Sequence, residues 1–272
     1  MSALIAAGSF AAGLFGSLTG LGGGIIIVPL LTLGFGVHLH YAIGASLVSI
    51  IATSSGAASP YVGQGFANIR VGMLLEVATV TGALTGAFLV SSIPVNIIAI
   101  IFSVVLLFTV WQSFTRSALQ VALTSDALAE RLHLPSTYPA PGGDQAYEVT
   151  GVPLGFGLMY IAGILSALLG IGSGIMKVLA MDRVMKLPFK VSTTTSTFMI
   201  GVTAAASSGV YLSKGYIDPV LAFPVMLGVL GGAFAGARIL PWARTQWLRV
   251  AFTVIVVVIA LQMLYKGIRG TM

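Results

Sequence analysis

The sequence predicts an all-α polytopic membrane protein made of two copies of one four-segment repeat. Of 272 residues, 57% are hydrophobic and only 7% are charged, with a mean hydropathy of +1.03. Soluble domains carry roughly a quarter charged residues. Eight apolar runs, at approximately 5–33, 41–62, 71–90, 94–112, 151–181, 191–213, 219–237 and 247–265, come close to or exceed the roughly 20 residues that cross a hydrocarbon core. They are unbroken and lack the period-2 alternation of a membrane β-barrel. Finally, Gly20-Leu21-Gly22-Gly23-Gly24 returns 150 residues later as Gly170-Ile171-Gly172-Ser173-Gly174.

The offset holds without a gap well beyond the glycines. Gly13 lies over Gly163, Val28 over Val178, Ser46 over Ser196, Thr53 over Thr203, Tyr61 over Tyr211, Asn68 over Asp218, Gly82 over Gly232 and Gly86 over Gly236. Residues 1–112 therefore form a first transmembrane repeat, 113–148 a polar linker and 149–272 a second repeat. In a chain this apolar, a broken glycine segment at matching places in two halves points to a transporter with its site at the repeat interface.

The first segment of each repeat carries the break. A helix interrupted at membrane depth leaves backbone groups unpaired, so the break must be buried in protein or face a wet cavity. The new helix N-terminus offers N–H groups and a dipole that favour an anion. Gly22, Gly23, Gly24 and Ile25 in one half and Gly172, Ser173, Gly174 and Ile175 in the other are the expected backbone donors. The competing reading is close helix packing, which we assign to Gly82 and Gly86. Alanine at Gly82 is expected to do less harm than valine at Gly24 or Gly174.

Charge placement bears on how these segments run. If all eight cross, the basic residues counted divide six against six. If 5–33 and 155–181 are re-entrant hairpins, Arg70, Arg116, Arg131, Arg183, Lys186, Lys190, Arg238, Arg244 and Arg249 share one side, against Lys214, Lys266 and Arg269. Nine against three is a positive-inside pattern. Three crossings per half would also make the repeats inverted, the arrangement of alternating-access carriers. One long tilted helix is the other reading of each segment.

The linker holds Asp126, Glu130, Arg131, Asp144 and Glu148 and ends in Pro135, Pro139, Pro141, Gly142 and Gly143. Its first part, 117–132, suits a short surface helix, and the Pro/Gly stretch reads as turn and tether.

The segments after the breaks are rich in hydroxyls. Ser192-Thr193-Thr194-Thr195-Ser196-Thr197 opens one, and Ser46, Ser49, Thr53, Ser54 and Ser55 occupy the related region of the first half. Hydroxyls either donate to an oxyanion or bond back to their own helix; Ser46, Thr195, Ser196 and Thr197 are the expected substrate ligands. Lys177, three residues after Gly174, is read either as a site charge or as an anchor snorkelling to the interface. Glu76 is the one clear carboxylate within the spans, reaching the surface or pairing with Arg70. His38 and His40 are read as loop surface residues, with proton-sensitive gate groups as the alternative. A site of amides, hydroxyls and a lysine suits an anion better than a cation.

Cysteine is absent, which excludes disulfides and thiolate ligands. No Ser-His-Asp set or metal-ligand cluster can be assembled, so neither enzymatic activity nor a cofactor or metal is expected. The net charge of +6, from 13 basic and 7 acidic residues, is read as anchors at the membrane surface rather than a nucleic-acid footprint. The N-terminus has no basic n-region, so its apolar run is read as structure and not as a cleaved signal. The expected partners are a small anion and the bilayer, and no signal sets an oligomeric state.

Gly20-Leu21-Gly22-Gly23-Gly24-Ile25-Ile26-Ile27-Val28-Pro29, its partner Gly170–Gly174, and Gly65-Phe66-Ala67-Asn68-Ile69-Arg70 echoed by Gly215-Tyr216-Ile217-Asp218 resemble the TauE/SafE sulfite exporter family of bacterial and archaeal permeases. The resemblance spans the chain outside 113–148. It implies a multi-pass carrier in the cell inner membrane for sulfite, sulfoacetate or another sulfonate. The second half departs from the pattern, with Ser173 in place of a glycine and Leu179 where Pro29 stands. An anion channel, a carrier of a non-sulfur organic anion and a membrane scaffold are the alternatives; a scaffold has no need of paired breaks at membrane depth.

Overall fold

The computed structural model describes the backbone of residues 2–19, 24–63, 66–114, 125–140, 143–239 and 245–270. The first repeat comprises α1 (Ser2–Thr19), α2 (Gly24–Pro29) with a π-helical turn (Leu30–Gly34), α3 (Leu39–Gly63), α4 (Ile69–Leu89) and α5 (Val95–Phe114). The linker contributes α6 (Ala127–Arg131), β1 (Ser136–Ala140) and β2 (Gly143–Tyr147). The second repeat follows as α7 (Val152–Leu169), α8 (Gly174–Leu179) with a π-helical turn (Ala180–Val184), α9 (Phe189–Ser213), α10 (Pro219–Ile239) and α11 (Thr245–Arg269). Spans within α4, α5, α7 and α10 are long and apolar enough to cross a membrane, and Ala3–Leu14, Gly24–Gly34 and Leu39–Ser55 are shorter apolar helices. The architecture is that of an all-α membrane protein.

The break of the second repeat is present where the glycines are. Gly170 ends α7 at φ 64°, its N–H donating to Ser166 O, and Gly172 follows at φ 71°. Such backbone costs glycine little. Ser173, the non-glycine of the motif, is held at φ 44°, in a region that non-glycine residues seldom occupy. In the first repeat α1 stops at Thr19 and α2 starts at Gly24; Gly20, Gly22 and Gly23 lie outside the described residues. The same π-helical turn follows α2 and α8 although only α2 ends in proline. The Pro29/Leu179 departure therefore leaves the backbone class unchanged.

Both broken segments fold back on themselves. Thr150 N donates to Met185 O (3.2 Å), and a Cβ on Gly151 would lie 2.7 Å from Val184 O, so the end of the second segment returns to its beginning. In the first segment Leu30 and Phe35 pack on Gly8 in the same manner.

Packing between the repeats is reciprocal. α1 lies along α10 and α7 along α4, while α3 meets α9 and α5 meets α11. The contacts repeat at the offset of 150 residues. A Cβ on Gly82 would fall 2.1 Å from Tyr160 O and one on Gly232 2.0 Å from Phe10 O; for Gly163 and Gly13 the distances are 2.1 Å to Thr79 O and 2.3 Å to Val229 O. The packing role read for Gly82 and Gly86 thus has its geometry: backbone rests on backbone, as small residues allow in membranes. Alanine at Gly82 would nonetheless strike a main-chain carbonyl, so the packing there leaves little room even for one methyl group.

Equivalent helices α3 and α9 run antiparallel. Gly44, near the start of α3, faces Tyr216 O beyond the end of α9. Thr194, near the start of α9, donates to Phe66 O beyond the end of α3 (2.8 Å).

The linker docks on one end of this bundle. Where the Pro/Gly stretch reads as turn and tether, the chain forms an antiparallel hairpin in which Pro139 pairs with Asp144; a two-stranded ribbon is all edge, where proline is tolerated. Ala129, Leu134, Tyr147 and Val149 are buried in one apolar cluster with Val71, Leu75, Met181 and Val191. Asn68 ties the parts together. Its Oδ1 accepts from Val71 N (3.0 Å) and caps α4, and its Nδ2 donates to Leu134 O (2.9 Å) and Tyr147 OH (2.7 Å). Its main-chain N–H donates to Thr195 Oγ1 (3.0 Å). Burial pushes the Tyr147 phenol above its ordinary value.

Asn68→Ala is expected to lower stability by on the order of 2 kcal/mol, since it removes a helix cap and leaves Leu134 O without its donor. Asp218 occupies the equivalent place but is exposed, and its Oδ1 accepts from Val220 N (2.9 Å). Asp218→Ala should cost roughly half as much. Thermal unfolding in detergent compares the two.

Candidate functional site

The break Ile171–Ser173 is buried inside the protein, where helices of both halves converge. Ser46 from α3 donates to Gly170 O (2.6 Å), and Ser196 from α9 donates to Gly174 O (3.1 Å). These equivalent hydroxyls satisfy the carbonyls on either side of the break, which hydrocarbon would leave unpaired. Gly24 joins them: a Cβ there would lie 3.2 Å from Gly170 O and 2.8 Å from Ile50 Cδ1. Gly174 faces Ile200, the counterpart of Ile50, at 2.6 Å, and Gly172 lies against both isoleucines. Gly24, Gly172, Ser173, Gly174, Ser46 and Ser196 thus meet at one place. Ile25 is buried and Ile175 half-buried beside them.

The remaining residues read as ligands separate. Thr195 is turned to the linker end through Asn68, and Thr197 bonds back to Thr193 O (2.9 Å) while its own carbonyl accepts from Ser54 (2.5 Å). Ser173 Oγ is buried without a hydrogen-bond partner among the described residues. It is a free donor and acceptor within the break.

Lys177 is fully buried, which rules out the interfacial anchor. Its Nζ donates to Thr203 Oγ1 (2.5 Å) and lies 3.8 Å from Glu76 Oε2. Thr203 in turn donates to Glu76 Oε1 (2.6 Å). Glu76 therefore neither reaches the surface nor pairs with Arg70, whose guanidinium donates to His133 O (3.1 Å) in the linker. The pair joins α4 of one repeat to α8 and α9 of the other. Breaking such a buried pair leaves an uncompensated charge, at a cost on the order of 3–5 kcal/mol. Lys177 and Glu76 lie far apart in the sequence; the signal that joins them is that they are charges set within apolar segments, where charges seek one another.

At the end away from the linker lies an open cavity of about 710 Å³ lined by His38, His40, Tyr41, Ser91, Pro94 and Tyr216. His40 is buried, against the reading of it as a surface residue: it stacks on Tyr216 at 4.8 Å and sits 3.3 Å from Val90 O. His38 is exposed. Lys214 closes the rim, donating to Ala87 O (3.0 Å), Phe88 O (2.8 Å) and Ser91 Oγ (2.9 Å).

The profile of the family described as Sulfite exporter TauE/SafE matches residues 5–263, nearly the whole chain. The chain belongs to the TauE/SafE family. Two relatives from Bacillus subtilis (strain 168) resemble it along most of their length. Probable membrane transporter protein YunE is 26% identical over 269 residues, covering 94% of this chain and 95% of the relative. Probable membrane transporter protein YdhB is 27% identical over 234 residues, covering 84% and 86%. No solved structure matches the chain. As a TauE/SafE member this is a multi-pass membrane transporter, and Gly24 of the first glycine motif meets the second motif at Gly170.

Proposed function

We propose that this chain is a secondary transporter that carries a small sulfur-containing oxyanion, sulfite or a sulfonate such as sulfoacetate, across the cell inner membrane. The two repeats act as inverted units and expose the site between them to each side in turn. One observation carries the reading: the Gly170–Gly174 break lies inside the protein with hydroxyls from both halves on its carbonyls and Gly24 against it. An oxyanion with several acceptor oxygens is held there by N–H groups of the break and by hydroxyls, Ser173 being unengaged, because a dehydrated anion must be richly hydrogen-bonded. The folded-back segments and the antiparallel course of α3 and α9 support inversion, since each repeat then crosses an odd number of times.

Uptake and counterflow in proteoliposomes, across sulfite, sulfoacetate, taurine, sulfate and thiosulfate, test the reading. Saturable counterflow with sulfite or a sulfonate is expected. Conductive flux without counterflow would make the protein a channel, and counterflow with carboxylates alone would move the substrate class.

The orientation has its own test. Single cysteines replacing Arg70, Arg183 and Lys214 in this cysteine-free chain are expected to divide, with position 214 labelled from outside intact cells and positions 70 and 183 protected. Equal labelling of 183 and 214, with 70 protected, contradicts the arrangement.

A further inference from the structure

We propose that Glu76 is the proton-carrying residue of the transport cycle, and that Lys177 is a positive charge which Glu76 and the transported anion occupy in turn. The inference rests on the transport reading above and adds its coupling ion and the charge class of its substrate.

Four observations lead there. First, Lys177, Glu76 and Thr203 are buried together, and Thr203 Oγ1 accepts from Lys177 Nζ and has Glu76 Oε1 (2.6 Å) as the shorter of its two acceptors, the other being Met199 O (2.9 Å), so the hydroxyl bridges the two charges. Second, the other carboxylate oxygen, Oε2, has no hydrogen-bond partner among the described residues and stands 3.8 Å from Nζ, so this oxygen is left to take a proton. Third, the cluster adjoins the break: Lys177 N donates to Ser173 O (3.1 Å), one turn from Gly174. Fourth, the fold does not require charge at this place. The positions 150 residues away are Ile27, Thr53 and Met226, and the reciprocal packing holds there without a charged side chain.

Other titratable groups on the surrounding helices are engaged elsewhere or lie at the ends. On α4, Arg70 donates to His133 O. Tyr160 of α7 lies against Thr85, and Tyr211 of α9 donates to Ala167 O. Lys190 opens α9, and Asp182 and Arg183 follow α8 in the π-helical turn that returns to the linker end. Among the described residues, Lys177 is the charge that faces Glu76.

The cycle balances as follows. At rest the ammonium and the carboxylate cancel. A singly charged oxyanion entering from the break accepts hydrogen bonds from Nζ, and the Glu76 carboxylate loses its counter-charge. An O–H bond then forms at the carboxylate with a proton drawn from water on the open side, leaving ammonium, anion and neutral carboxylic acid, again of net charge zero. Release on the other side returns the proton to water there and the carboxylate to Lys177. One proton moves with each anion in the same direction, without net charge, and an acid exterior drives the anion inward. Keeping the buried site neutral throughout avoids the desolvation of an unpaired charge, and it favours the singly charged forms of these oxyanions, hydrogensulfite or sulfoacetate with its carboxyl protonated, over dianions such as sulfate.

The test uses methanesulfonate, a monoanion with no group titrating near neutrality, beside sulfite, in proteoliposomes with a pH indicator inside. Wild-type protein under an acid-outside gradient is expected to accumulate methanesulfonate and acidify the lumen, at a rate that clamping the membrane potential leaves unchanged. Glu76→Gln should lose gradient-driven accumulation by roughly tenfold or more and exchange anion more slowly without acidification. In case Glu76→Gln does not fold, a second measurement uses wild-type protein alone: adding methanesulfonate to protein in weakly buffered detergent should draw a proton from solution for each anion bound. Anion flux without proton movement, no proton uptake on binding, or wild-type accumulation by Glu76→Gln would each overturn the proposal. Absence of any flux or exchange across the panel overturns the transport reading itself, which is a separate result.

Discussion

Gly174→Val is expected to abolish transport while the protein remains monodisperse, and Gly24→Val to do the same from the other repeat. A Cβ at Gly174 already stands 2.6 Å from Ile200 Cδ1 and 3.6 Å from Ser196 Oγ, and at Gly24 one stands 2.8 Å from Ile50 Cδ1 and 3.2 Å from Gly170 O. The tip of an isoleucine can turn aside for one methyl group. It cannot do so for the branched side chain of valine, whose stiff χ1 directs a further carbon into the space between the segments. The start of α8 would have to move, and the Ser196–Gly174 hydrogen bond, whose loss leaves a carbonyl unpaired in the interior, would go with it. Counterflow at wild-type rates in both variants would remove the break from the substrate's route.

Gly82→Ala and Gly232→Ala should unfold or misassemble the protein more readily than their size suggests. The added carbon falls 2.1 Å from Tyr160 O in one and 2.0 Å from Phe10 O in the other, and both obstacles are main chain. The helix pairs must separate along their length, at about 1–3 kcal/mol each or more. A lower unfolding temperature in detergent, similar in size for the two variants, is the expected signature. Gly209→Ala provides the contrast: nothing lies within 4 Å of a Cβ there, so the helix should gain a little stability. Equal, near-neutral behaviour of all three would mean that the reciprocal contacts are not tight in the membrane.

The repeat, the interrupted first segments and the packing glycines were legible because each depends on residue type at a fixed position: glycine twins at an offset of 150 residues have few other uses. The distribution of arginine and lysine is compatible with a folded-back course of the first segments and leaves one long tilted helix as the other reading. The Glu76–Lys177 contact was not legible, since these residues are far apart in sequence and an apolar helix gives no periodic sign of which face meets which neighbour. The linker hairpin was hidden by its composition. Ser136–Ala140 and Gly143–Tyr147 are five residues each, with proline and glycine where strand formers are usual. Among the hydroxyls, only geometry distinguishes Ser46 and Ser196, which serve the break, from Thr195, which serves Asn68.

The crossed packing of the repeats also governs how the protein is made. Gly13 of α1 is covered by Val229 of α10, a partner synthesised more than two hundred residues later. At typical elongation rates of roughly 5–20 residues per second, the first segment waits on the order of ten seconds or longer for the surface that completes it. Meanwhile its glycine-lined groove faces lipid, an insertion factor or another nascent chain. The second repeat has no such delay, because α4 is already in place when α7 emerges. The two halves are built alike, but biogenesis treats them differently: a defect in α10 leaves α1 stranded, so quality control should recognise truncated chains by an unpaired α1.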